Sequence, residues 1–111
     1  MTFVFYVKNK IENPLLTFVD ADFILEALRI HKPFEHLYVS EDKFISILRI
    51  LVDWRECFDT LDFSKLPNYK WGTKEIYDPS LKSILDDYIS NMEKILANFN
   101  WKKSEMRVNI Y

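Results

Sequence analysis

The sequence predicts an α+β fold: about three helices packed on a small, mainly antiparallel sheet formed by the N- and C-terminal strands. Three observations carry this reading. Residues 2–7 (TFVFYV) are all β-branched or aromatic, the composition that suits a pleated surface. Residues 105–111 (EMRVNIY) alternate strictly, so Met106, Val108 and Ile110 face one way and Glu105, Arg107, Asn109 and Tyr111 the other. Between these ends, Leu81, Ile84, Leu85, Tyr88, Ile89, Met92, Ile95, Leu96 and Phe99 recur at helical spacing.

The elements follow in order. The segment 2–7 is apolar at nearly every position, so both of its faces are expected to be covered. Residues 8–14 (KNKIENP) form a polar turn with an Asn-Pro pair, and 15–19 (LLTFV) read as the returning strand of a hairpin. Asp20 or Asp22 can cap a helix through Phe23, Ile24, Ala27, Leu28 and His31, ended by Pro33. Residues 37–39 are at most a short extended segment. Ser40, followed by Glu41 and Asp42, caps a helix over about 41–59. Its polar residues Ser46, Arg49, Asp53 and Glu56 form one narrow stripe, so the helix is expected to be central and covered on most sides. Residues 60–77 show no period. Asp78-Pro79 then opens the helix 78–99, with Asp as cap and Pro at the first helical position.

A chain of 111 residues with 49% hydrophobic and 16% aromatic residues has material for one core, and 1–111 is read as a single compact domain. The counts exclude several function classes. Gly72 is the only glycine, where average usage of about 7% would give about eight. A phosphate-cradling loop needs several, because the backbone must approach the phosphates without a Cβ in the way. Cys57, His31 and His36 are the only Cys and His residues, fewer than the roughly four ligands of a structural zinc site. No metal and no cofactor is expected. A single cysteine forms no intrachain disulfide and suits a reducing compartment. The N-terminus lacks the features of a signal peptide, and the apolar run 44–54 is broken by Arg49 and Asp53. A soluble, cytoplasmic protein without membrane partners is expected.

Candidate chemistry is sparse. His31 and His36 flank Pro33, but no local signature joins them to a nucleophile, so no catalytic residue is assigned. Asp20, Asp22 and Glu26 are explained by helix capping, and Asp86 and Asp87 by a solvated helix face. Cys57 follows an apolar helix and lacks an electropositive setting, which makes it a small buried residue. Lys65, Lys70 and Lys74 interleave with Tyr69 and Trp71, and Lys102, Lys103 and Arg107 adjoin Trp101 and Tyr111. Segments 65–77 and 101–111 therefore support an alternative, a small nucleic-acid-binding regulator.

The charge distribution favours another reading. The net charge is −2, yet residues 20–62 hold ten acidic and five basic residues, net −5. Asp53, Glu56, Asp59 and Asp62 succeed one another along and past the end of the second helix, and Tyr69, Trp71 and Tyr77 follow. Acids steer encounter with a basic partner, and Tyr and Trp are frequent interface anchors. These seven residues are the expected partner-binding face. In size and acidic bias the chain is similar to immunity proteins, antitoxins and phage-encoded anti-defence proteins, a similarity of profile that no motif carries. It implies a stoichiometric protein-binding inhibitor, without enzymatic activity, that occludes a basic nuclease or nucleic-acid-binding partner. A homodimer is compatible with the same sequence.

Overall fold

The computed structural model describes residues 1–30 and 37–111. The elements are β1 (Phe3–Val7), β2 (Leu16–Phe18), α1 (Phe23–Ala27), β3 (Leu37–Val39), α2 (Glu41–Thr60), β4 (Lys70–Trp71), β5 (Lys74–Glu75), α3 (Leu81–Asn98) and β6 (Met106–Ile110). The fold is α+β. Three helices, two of them long, accompany a four-stranded antiparallel sheet in the order β2-β1-β6-β3. The two terminal strands, β1 and β6, are its centre. Phe3 pairs with Phe18 on one side and Ile110 on the other, and Phe5 pairs with Leu16 and Val108. Alternation then sends Phe3, Phe5, Leu16, Phe18, Met106 and Val108 to one face. That face and the buried sides of α2 and α3 form one core.

Each long helix buries one stripe. Phe44, Ile47, Leu51, Trp54 and Cys57 do so on α2, and Leu81, Leu85, Ile89 and Met92 on α3. The helix α2 is less enclosed than its composition suggested. Leu48, Ile50 and Val52 are half-buried against the core, and Ile45 is half-buried beside them. The seam with α3 shields one flank only, with Arg55–Asp86 and Asp59–Lys82 ion pairs at 3.7 and 3.8 Å along its rim.

The caps explain the helix boundaries. The Ser40 hydroxyl accepts from the Lys43 N–H, as its position before Glu41 and Asp42 predicts. At α3 the expected cap is corrected: the helix begins at Leu81 with Ser80 at the N-cap position, so Asp78 stands two residues before the cap and Pro79 is not the first helical residue. The Asp78 carboxylate accepts from the N–H and hydroxyl of Ser80, and its carbonyl accepts from the Leu81 N–H.

The first helix corrects the sequence reading. It does not continue through His31 but stops at Ala27. Arg29 takes a left-handed conformation (φ 55°), its N–H donates to the Glu26 carbonyl, and the Ile30 N–H reaches back to Leu25 at 2.9 Å. This is a Schellman termination, and it ends the helix before Pro33 can. His31, Pro33 and His36 lie outside the described residues. Asp22 stands at the N-cap position without a capping bond, its carboxylate instead meeting the Met1 ammonium group.

The aperiodic stretch also holds an element that its sequence concealed. Strands β4 and β5 form a hairpin with Trp71 opposite Lys74, turning at Gly72-Thr73. Gly72 has φ +63°, which only glycine adopts cheaply as the first residue of such a turn. Its N–H donates to the Asp20 carbonyl at 2.8 Å, and an added Cβ would stand 3.4 Å from the Asp20 Cβ. The sole glycine thus fastens the hairpin to the end of β2.

Among the described residues, no helix is long and apolar enough to cross a membrane.

Candidate functional site

The acidic residues gather where α2 runs out. A surface cleft of about 370 Å³ is lined by Asp53, Glu56 and Asp62, with Cys57, Thr60, Lys65 and Leu66. The 3.6-residue period brings Asp53, Glu56 and Thr60 to one side of α2. The turn that follows brings Asp62 round to meet them. Asp62 is held firmly: its Oδ1 accepts from the Ser64 N–H at 3.0 Å and the Ser64 hydroxyl at 2.6 Å, while its own N–H donates to Thr60 Oγ1. The two bonds from Ser64 hold its carboxyl below the usual carboxylate range. Asp59 lies on the shoulder toward α3, paired with Lys82.

Cys57 sits under these acids. Burial, then the charges of Asp62, Asp53 and Glu56, push its thiol up from its ordinary value. At neutral pH it is therefore a thiol, and nothing here activates it as a nucleophile. Among the described residues, no group of three or more His, Cys, Asp and Glu side chains is placed to hold a metal ion.

The acids occupy an end of the helix that does not favour them. A helix C-terminus carries partial negative charge, so acids there are destabilising by some tenths of a kcal/mol each, and neighbours three apart repel. Glu56 and Asp59 stand in or beside the last turn of α2, which holds no basic residue. Leu61 adds a second anomaly, one that sequence reasoning missed. It caps α2 in the left-handed conformation (φ 59°), where glycine is usual, and is 82% exposed between Asp59 and Asp62. The only signal in the sequence is a helix ending in TLD with no glycine to take the left-handed position.

The aromatic half of the expected face is placed differently. Trp71 is 7% exposed and Tyr69 9%. Trp71 packs against Phe18, Phe23, Trp54 and Tyr88 with ring centroids 5.1–6.1 Å apart, and its indole N–H donates to the Val19 carbonyl at 2.9 Å. Tyr69 packs on Phe23 and Trp54. Both rings belong to the core. Tyr77 is the exposed member, at 61%, beside the Ile76 carbonyl that accepts from the Trp54 indole at 2.8 Å. The interleaved lysines are engaged locally: Lys70 with Glu75 at 3.4 Å, Lys74 with the Ser80 hydroxyl at 2.8 Å, and Lys65 in the acidic cleft.

Asp20, Asp22 and Glu26 line a separate cleft with Lys70 and Gly72. Asp20 is in the left-handed conformation at the end of the β2 excursion and caps no helix. Asp86 and Asp87 are exposed on α3.

No protein-family model, no curated protein and no solved structure matches this chain.

Proposed function

We propose that the chain is a stoichiometric protein-binding module that recognises a basic partner, such as a nuclease or a nucleic-acid-binding complex, through the end of α2. The observation that carries this reading is the placement of Glu56 and Asp59 at a helix C-terminus, with Asp53 and Asp62 beside them around one open cleft. The helix terminus itself does not favour acids, whereas a basic partner would. Leu61, next in the chain to Thr60 and Asp62 of the cleft, supplies exposed apolar surface. Charge steers the encounter, and apolar contact such as Leu61 offers governs how long the complex lasts. Inhibition by occlusion requires no catalytic residue and no cofactor, and the reading assigns none.

The test compares wild type with the Glu56→Lys/Asp59→Lys variant. Immobilised wild-type protein is used to capture partners from the source cell, and each purified partner is then assayed for inhibition at equimolar ratio. The reading expects a basic protein that wild type retains and inhibits and that the variant binds with a slower, less salt-sensitive association. Retention of the same proteins by both forms at equal rates would refute it.

A further inference from the structure

The core takes one face of the sheet. Alternation along the paired strands sends Val4, Tyr6, Thr17, Tyr38, Arg107 and Asn109 to the other. Tyr6 stands opposite Arg107 across β1 and β6, and Tyr38 stands opposite the same Arg107 across β6 and β3. A Tyr–Arg–Tyr row therefore crosses three strands, its outer members about 10 Å apart at the backbone. Tyr111 extends the pattern. Its backbone exchanges two hydrogen bonds with Thr2, at 2.9 and 3.0 Å, so the ladder continues and its ring falls on the same face. The Tyr6 hydroxyl donates to Asn109 Oδ1 at 2.8 Å, and Asn109 Nδ2 donates to the Tyr111 hydroxyl at 3.3 Å. These bonds hold a buried polar layer in place. Tyr38 and Tyr111 remain 54% and 68% exposed.

The segments that leave β1 and enter β6, at one end of this strand pair, reverse the charge of the rest of the protein. Segments 8–12 and 102–107 contain Lys8, Lys10, Lys102, Lys103 and Arg107 against Glu12 and Glu105. The net charge of the whole chain is −2, so a local excess of three positive charges runs against the average. Glu105 accepts from Arg107 Nε at 2.6 Å and lies 4.0 Å from Lys8 Nζ, which orients both cations at the sheet edge. Tyr6, Lys8, Asn9, Ile11 and Arg107 line a cleft of about 250 Å³ beside the row.

We propose that this second sheet face binds single-stranded nucleic acid over its buried Tyr6–Asn109 layer, with bases stacking on the exposed Tyr38 and Tyr111 and the phosphate backbone passing Arg107 and Lys8. The chemistry is complementary in both parts. Aromatic faces and guanidinium planes accept unpaired bases whatever their sequence, and a basic border neutralises phosphates. A duplex hides its base faces and offers only phosphates, so the same surface discriminates against it. This surface is separate from the acidic end of α2, and the proposal stands or falls independently of the partner reading above.

The experiment measures fluorescence anisotropy of labelled oligothymidine and oligouridine, each about twelve nucleotides long, and of a duplex of equal length, over salt from about 50 to about 200 mM. Both single strands should bind more tightly than the duplex and weaken with salt. Tyr38→Ala should weaken binding about tenfold and Tyr38→Phe should retain it, because stacking needs the ring and not the hydroxyl. Arg107→Ala should reduce the slope of log K against log salt by about 0.7, the share of one phosphate. Tyr38 and Tyr111 are exposed, so their variants should unfold at the wild-type temperature. Glu56→Lys/Asp59→Lys should bind the oligonucleotides no more weakly than wild type. The proposal is overturned if neither strand binds at about 100 µM protein, the weak end of non-specific affinity. It is equally overturned if Tyr38→Ala/Tyr111→Ala binds as wild type does, or if sedimentation shows a wild-type dimer that Tyr38→Ala disperses, which would assign the face to a second copy.

Discussion

Residues 53–62 and 69–76 are near neighbours in the chain and meet through Trp54, but water takes the acids of one and the core takes the rings of the other. Asp53, Glu56, Asp59 and Asp62 are exposed. Tyr69, Trp71 and Ile76 are buried among Phe18, Phe23 and Trp54. The difference lies in how narrowly each residue type constrains its own environment. An unpaired carboxylate in a core is so costly that four acids in close succession must reach the surface. A tryptophan is equally at home in a core and at an interface, provided its indole N–H finds an acceptor. Trp54 and Trp71 both find one in a backbone carbonyl, Ile76 and Val19 respectively. The hairpin turned by Gly72 makes that possible by folding the segment back against the end of β2.

The largest expected effect tests the buried side of this contrast. Trp71→Ala should cost about 3–5 kcal/mol of stability, the range for removing a buried large aromatic. Chemical denaturation measures it directly. A loss below about 1 kcal/mol would mean that the ring is not a core element and would return it to the candidate interface.

High pH should strike the same region next. Burial raises the Tyr69 and Tyr88 phenols above their ordinary value, with Glu26 adding to the effect on Tyr69. Their folded values lie above their unfolded ones. The stability they contribute is thus fully present below about pH 10 and is lost as pH rises through the folded values. The acidic limb has the opposite sign. Bonds from Ser64 and Ser80 lower the Asp62 and Asp78 carboxyls, so their contribution is present above the ordinary carboxylate range and disappears as pH falls through the folded values. Both aspartates are exposed, and the alkaline loss should be the steeper of the two. Thermal unfolding across pH should show this asymmetry, and a flat alkaline limb would contradict the burial of the two phenols.

Leu61→Gly probes the surface side. Relieving a left-handed leucine should raise stability by up to about 1 kcal/mol while removing the exposed apolar group that follows α2. The partner reading expects that gain to accompany faster dissociation of the complex, a combination that ordinary damage to the fold would not produce.

The smallest effect on stability belongs to Glu56→Lys/Asp59→Lys. Exposed charges move stability by no more than about 0.5 kcal/mol, and here the sign should be neutral or favourable because lysine suits a helix C-terminus. The Asp59–Lys82 pair is exposed and adds little against this. A loss above about 1 kcal/mol would show that the acids serve the fold after all.

Much of the fold was legible in local pattern. The period-2 alternation of 105–111 identified β6. The 3.6 period of Leu81, Leu85, Ile89 and Met92 identified α3, and Ser40 marked the start of α2. These signals are local because each follows from the geometry of one element and one buried face. The acids of the candidate site were legible for the same reason, since their exposure follows from their charge. Other features depended on partners distant in sequence. The placement of β6 between β1 and β3 needed registers set by residues about a hundred positions apart, such as Phe5 with Val108. The end of α1 at Ala27 came from a left-handed arginine that no sequence rule favours.

By itself, then, the sequence determined the two long helices, the terminal strands and the surface position of Asp53, Glu56, Asp59 and Asp62. Periodicity and the cost of burying charge act residue by residue. Only the tertiary structure decided that Tyr69 and Trp71 go inward while Tyr38 and Tyr111 stay exposed. An aromatic ring gains from either apolar neighbours or a partner's surface, and which one it meets depends on where the rest of the chain has packed.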